Sequence, residues 1–265
     1  MGNGLNKLLK YLRYLRKANT RHGIHSPFVY ELVTKVIHDR GPYPDYQKVE
    51  LLRKNLLHNR NLLEIVDFGA SAGKSGYKTS FQRVKEIASK SSISAKDGQL
   101  LYRLVRYFKP EIMLELGTSL GISSIYQVTG SPESFFIGIE GCATTAALAE
   151  ESLKRFSPFR NYSVVIGNFN SMLPSVLEKL DKLDYAFIDG NHAYKPTVEY
   201  FNQLMPYMHE ESFIVLHDIY WSDEMEKAWK EIITNPAITI SIDLFRMGIV
   251  FFRKGMPKQD FIIRF

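Results

Sequence analysis

A single cysteine, Cys142, leaves the 265-residue chain without a partner for an internal disulfide. No disulfide framework can therefore replace a hydrophobic core, and the chain suits a reducing compartment. No apolar run approaches the ~20 residues of a membrane span. The N-terminus shows no apolar signal segment, and Asn6 stands where a myristoylation signal wants Ser or Thr. A cytoplasmic location is the expectation. No internal repeat and no low-complexity tract breaks the chain. Neither sign of charge is missing: 34 basic residues face 28 acidic ones, a formal net charge of +6. That balance allows an acidic partner without requiring one.

What is present is enough apolar residue, 45% of the chain, for one large core with or without a helical appendage. The most informative stretch is Leu114-Glu115-Leu116-Gly117-Thr118-Ser119-Leu120-Gly121. It follows the apolar run Glu111 to Leu114 and precedes a helix-like segment, Ile122 to Val128. A strand, a glycine-rich turn and a helix in that order cradle a nucleotide-like ligand. Gly117 permits a backbone angle or close approach that a Cβ would obstruct, and Gly121 lets the helix start pack tightly. A carboxylate, Glu140, ends the next apolar run about twenty positions beyond Gly117, where a βαβ unit sets an acid against a ribose diol.

The dinucleotide fingerprint G-x-G-x-x-G is absent, because Ser119 stands where its second glycine belongs. Glu115 lies two residues before Gly117, at the mouth of the turn. An acid there repels a pyrophosphate and suits a cation, such as the amino group or sulfonium of S-adenosylmethionine.

The N-terminal region reads as helices. Leu5, Leu8, Leu9, Leu12 and Leu15 share one face of a basic amphipathic helix, with Lys10, Arg13 and Lys17 opposite. That face either touches a membrane or nucleic acid, or packs its leucines on the body or on a second subunit. Ser26 as N-cap and Pro27 at the first helical position start a second helix, burying Phe28, Val29, Leu32, Val33 and Val36. His22 and His25 either line a substrate pocket or bond the loop backbone. A third helix spans Asp45 to His58. The segment from Gly69 to Ser75 imitates a phosphate-binding loop, but only three residues separate Gly69 from Gly73 where a Walker A motif has four. Residues 65–95 read as a polar, basic linker.

From Asp97 onward helix and strand alternate: helix 98–108, strand 112–117, helix 122–128, strand 135–140, helix 144–156 and strand 163–167. Helix 171–181, strand 184–189, helix 195–208, strand 212–217 and helix 222–234 follow. This pattern predicts an α/β fold with a mostly parallel sheet. Two runs, Ile238 to Leu244 and Gly248 to Arg253, close the chain as an antiparallel hairpin. The organisation expected is a helical lid or dimerisation region (1–64), the linker (65–95) and a ligand-binding domain (96–265).

Lys96-Asp97-Gly98-Gln99, Leu114 to Gly117 and Gly121-Ile122-Ser123 resemble the small-molecule O-methyltransferases of the class I S-adenosylmethionine group, among them the catechol and caffeoyl-coenzyme-A enzymes. Phe187 to His192 and Ile214 to Asp218 resemble macrocin-type sugar O-methyltransferases. The resemblance covers about Ala95 to Lys254 and implies the Rossmann-like class I fold, with its parallel sheet ending in a hairpin. It also implies that Glu115 and the backbone near Gly117, Thr118 and Ser119 hold the methionine end of the cofactor, with Gly121 at the helix start. Ser123 would meet the cofactor's carboxylate and Glu140 its ribose hydroxyls. Asn168 and Phe169 lie in the loop matching the adenine contact, and Phe169 is either a purine cover or core.

Asp189 ends a buried strand and so points into the cleft above the sheet, which makes it a cofactor-binding candidate as well. In the metal-dependent relatives the matching acid binds magnesium, which makes Asp189 and Asp218 the candidate metal ligands and magnesium a candidate second cofactor. His217-Asp218 departs from the Asp-Asn of the catechol and caffeoyl enzymes, and magnesium prefers oxygen donors. Asp189 and His192 keep the acid-to-histidine spacing of the sugar enzymes. His192 is the first candidate for general base and His217 the second, because a near-neutral imidazole can take a hydroxyl proton. The alternative is a helix-capping Asn191-His192 and a backbone-bonded His217.

The expected activity is methyl transfer to a small hydroxylated acceptor, with a homodimer as candidate assembly. Two other readings stand beside it. An RNA-binding or RNA-modifying protein would draw on the basic first helix, but no base-methylating motif or RNA-recognition module is present, so nucleic acid is not the expected partner. A catalytically silent cofactor-binding subunit would need Glu140 and not Asp189 or His192.

Overall fold

The computed structural model describes residues 2–20, 23–68, 77–157, 159 and 161–265. His22 and the imitation phosphate loop from Gly69 lie outside the described residues. The chain forms two compact units, one of residues 1–39 with 182–265 and one of residues 40–181.

The first unit opens with α1 (Gly2–Lys17) and α2 (Pro27–Leu32), the latter running into a π-turn at Val33–Ile37. Ser26 caps α2 by accepting from the Val29 N–H, and Pro27 fills the first helical position, where a missing N–H costs nothing. Val29, Leu32, Val33 and Val36 are buried as the spacing predicts.

The chain then enters the second unit through α3 (Pro44–His58), β1 (Leu62–Asp67), β2 (Lys78–Arg83), α4 (Val84–Ser91) and α5 (Ala95–Phe108). After these come β3 (Ile112–Leu116), α6 (Ile122–Gly130), β4 (Phe135–Glu140), α7 (Ala143–Phe156), β5 (Tyr162–Ile166) and α8 (Phe169–Leu177). Strands β3, β4 and β5 lie side by side and parallel, in register from Ile112↔Phe135 and from Phe136↔Tyr162.

Back in the first unit follow β6 (Leu183–Ile188), α9 (Tyr194–Leu204), a short turn at Met205–Tyr207, β7 (Met208–His217) and α10 (Asp223–Ile232). Strands β8 (Ile240–Asp243), β9 (Met247–Phe251) and β10 (Gln259–Ile262) complete it. Here β6 and β7 are parallel, β9 runs antiparallel to both β7 and β8, and β10 joins β8 in parallel. Every residue of β6 is buried, as a strand covered on both faces requires. The mostly parallel α/β class, the antiparallel C-terminal pair and the N-terminal helix are all present as expected.

Three features depart from the expectation. Residues 65–95 are not a plain linker: β1 and β2 pair antiparallel from Leu62↔Arg83 to Asp67↔Lys78, and α4 follows, its start closed by the Glu86 carboxylate accepting the Arg83 N–H. The ribbon leaves Leu62 and Phe81 exposed, so it lacks the apolar face that would have marked it in sequence. Secondly, β10 adds a strand beyond the hairpin. Thirdly, three of the stripe leucines of α1 stay at the surface, and Leu15 is half-buried. Leu8, Leu9 and Leu12 are exposed, while Tyr14 is buried and donates to the Ile263 carbonyl. Lys10, on that inner side, pairs with Asp223 (2.5 Å) and Glu226 (2.8 Å) of α10. Among the described residues no helix is long and apolar enough to cross a membrane.

Candidate functional site

The turn after β3 is built from alternating left-handed residues: Gly117 (φ 99°), Ser119 (φ 49°) and Gly121 (φ 84°). Two glycines take that conformation freely, whereas Ser119 is strained in it, as residues at ligand sites often are. Gly117 N–H donates to the Ile139 carbonyl (2.9 Å), tying the turn to β4. Gly121 is the N-cap of α6, and a Cβ there would meet Ala149 Cα at 3.0 Å, so the glycine permits the contact between α6 and α7.

Glu140, the last residue of β4, reaches this turn. Its carboxylate accepts from Ser119 N–H (2.6 Å) and Cys142 N–H (2.9 Å). Burial pushes the carboxyl above its ordinary value, and the Cys142 and Ser119 N–H groups pull partly against that. The Thr145 side chain and the Gly141 backbone also hydrogen-bond this carboxylate, so it is held by groups from the turn and from the start of α7.

Other predicted residues sit differently. Glu115 is wholly buried, and its carboxylate accepts from Ser124 Oγ and from Gln127 Nε2 (3.0 Å). It therefore holds α6 to the end of β3 instead of opening at the mouth of the turn. Thr118 is also buried. Its Oγ1 has no hydrogen-bond partner among the described residues and faces Gly138, where a Cβ would lie 2.5 Å away. Ser123 is buried at the start of α6. Asn168 caps α8 through its side chain, which accepts from Asn170 N–H (2.8 Å), and Phe169 follows half-exposed. Gly138 was not singled out in sequence, yet a glycine inside a strand marks a close approach, here that of Thr118.

In the first unit, Asp189 and His217 follow the paired residues Ile188 and Leu216 of β6 and β7. The His217 Nδ1 lies 2.9 Å from Asp189 Oδ1, and His192 Nε2 lies 3.7 Å from the same oxygen. Asp218 Oδ2 is 3.9 Å from His217 Nδ1. His217 is buried, while the His192 side chain keeps 32% of its exposure. Asn191 (φ 67°), His192 (φ 44°) and Asp218 (φ 53°) all occupy left-handed backbone. Three non-glycine residues thus hold left-handed backbone at two adjacent strand ends.

Neither Asn191 nor His192 is the N-cap of the helix that follows. Asn191 donates to Tyr200 Oη (3.2 Å), the N-cap of α9 is Ala193, and His217 meets a carboxylate. The donor set does not fit magnesium. An octahedral oxygen site is wanted, whereas Asp189 Oδ1 already lies against two imidazoles. Among the described residues no three of His, Cys, Asp and Glu group as ligands.

Residues 114–219, which hold the turn, Glu140 and the Asp189 cluster, match the family model described as a methyltransferase domain. No curated protein matches the sequence. Solved structures share the fold. The O-methyltransferase TomG from Streptomyces achromogenes, solved with S-adenosylmethionine, is 16% identical, with 85% of this chain and 95% of that one covered at a TM-score of 0.57. An O-methyltransferase from Bacillus cereus in complex with S-adenosylhomocysteine is 14% identical over 83% and 94%, at 0.56. The Podospora anserina methyltransferase PaMTH1, also bound to S-adenosylhomocysteine, is 11% identical over 87% and 98%, at 0.58. The resemblance read from the sequence thus holds in the matched segment and in the fold, which the solved methyltransferases above share.

Proposed function

We propose that this chain, whose residues 114–219 match a methyltransferase domain model, moves a methyl group from S-adenosylmethionine to a hydroxyl of a small molecule. The observation that carries the chemistry is the Asp189 carboxylate held between His217 (2.9 Å) and His192 (3.7 Å) on strained backbone. When bound, S-adenosylmethionine supplies a sulfonium-activated methyl group. Glu140 would accept from its ribose hydroxyls, and the backbone around Gly117 and Ser119 would line the approach.

Methyl transfer to oxygen is an in-line displacement. The acceptor oxygen forms the new C–O bond, the C–S bond breaks with its electron pair left on sulfur, and the hydroxyl proton must go to a base. His192 is that base, being the exposed imidazole of the pair. Asp189 stabilises the imidazolium that results, and His217 orients Asp189 by donating from Nδ1. No step is routed through a metal.

Calorimetric titration of S-adenosylmethionine and of NAD tests the reading, with Glu140→Ala as control, followed by mass spectrometry on a panel of hydroxylated acceptors. Binding of the methyl donor that the variant loses supports it. A wild-type protein that ignores the methyl donor sinks it.

A further inference from the structure

The β1–β2 ribbon takes no part in the chemistry above, yet it is fastened to the strand end that carries Glu140. Val66 N–H donates to Cys142 Sγ (3.5 Å), and Thr144 Oγ1 donates to the Glu64 carbonyl (2.7 Å). These bonds deliver Phe68, just past β1, against Gly141. A Cβ on Gly141 would meet Phe68 Cδ2 at 2.8 Å, closer than real Cβ contacts come. Tyr77, just before β2, sets its ring 6.3 Å from that of Phe68, tilted by 48°. Phe68 and Glu140 are both half-buried, so each keeps exposed surface beside the other's strand end.

We propose that Phe68 is the aromatic wall of the nucleoside pocket, stacking on the purine of the methyl donor from the place where Gly141 has no side chain. The inference rests on the methyl-donor reading and names a binding residue for it. A ribose whose diol is held by Glu140 carries its base one glycosidic bond away, so the group beside Glu140 is the one placed to meet that base. Gly141 offers no side chain, and the ribbon supplies one from a distant part of the chain. A phenyl ring suits the task, because a purine face stacks on an aromatic face with little demand on hydrogen-bond geometry. The glycine is then explained as well, since any larger residue at 141 would displace the ring.

The test is calorimetric titration of S-adenosylhomocysteine into wild type, Phe68→Ala, Phe68→Tyr and Gly141→Ala. Phe68→Ala should weaken binding roughly ten- to a hundredfold, the range expected of one base–aromatic stack. Phe68→Tyr should keep wild-type affinity. Gly141→Ala, which leaves the phenyl ring intact but pushes it aside, should weaken binding at least tenfold. Phe68→Trp adds a reporter that a purely structural role would not produce: an indole whose fluorescence S-adenosylhomocysteine quenches, beyond any change in wild type. Wild-type binding with Phe68→Ala and Gly141→Ala both within twofold of it, or no added quenching in Phe68→Trp, overturns the inference alone. Absence of binding by wild type overturns the methyl-donor reading and this inference with it.

Discussion

His217 donates from Nδ1 to Asp189 Oδ1 across 2.9 Å, joining the ends of the neighbouring parallel strands β6 and β7. The bond makes one strand end the support of the other. It leaves His192, 3.7 Å from the same oxygen, as the more exposed imidazole of the two.

The roles separate in kinetics. His192→Ala should lower kcat about 10²- to 10⁴-fold, the usual worth of a positioned general base, with methyl-donor affinity unchanged. Asp189→Asn and His217→Ala should also lower kcat, and His217→Asn should recover part of the loss by donating to Asp189. A His192→Ala enzyme with wild-type kcat under single-turnover conditions would remove that residue from the mechanism.

Methyl-donor binding should depend on pH through Glu140. Burial raises this carboxyl above its ordinary value, so the folded apo protein holds the proton to higher pH than the unfolded chain does. The sign follows: the stability linked to this group is full below the unfolded value and is lost as pH rises through the folded one. A ligand that needs the carboxylate as acceptor should therefore bind with release of a proton. Its affinity should fall as pH drops through the raised value. Calorimetry in buffers of different ionisation enthalpy reads the proton directly, and Glu140→Gln should abolish the dependence.

Gly121→Ala should destabilise the protein by about 1–3 kcal/mol, since the new Cβ meets Ala149 Cα at 3.0 Å in a left-handed backbone. Thermal unfolding measures the loss. Equal stability of variant and wild type would show that α6 and α7 can part there without cost.

Removal of divalent cations with EDTA should leave the turnover rate within twofold of the untreated enzyme, because Asp189 Oδ1 lies 2.9 Å and 3.7 Å from two imidazole nitrogens, a donor set unlike the all-oxygen shell magnesium prefers. A rate that collapses with EDTA and returns with magnesium would place a metal at this carboxylate after all.

Much of the fold was legible because its signals are local. The apolar runs that became β3, β4, β6 and β7 are bounded by glycine or acid, and the Ser26-Pro27 pair announces its helix by capping chemistry alone. The ribbon was not legible. Lys78 to Arg83 is polar, and its pairing with Leu62 to Asp67 is made across an intervening segment. Strand β10 is four residues long and depends on β8 for its existence. The leucine stripe of α1 was visible in sequence, but periodicity tells only that a helix has an apolar face, not which way it turns.

The sequence by itself determined the order of the alternating elements from β3 to β9 and the residue types of the candidate site, because strand and helix periods and the glycine-acid spacing are properties of neighbouring residues. Tertiary structure decided which groups those side chains meet. Glu115 turned inward to Ser124 and Gln127, His217 found Asp189, and Phe68 came to rest on Gly141. Such pairings depend on distances between segments remote in the chain, which only the packed sheet and its connections bring within a few ångströms.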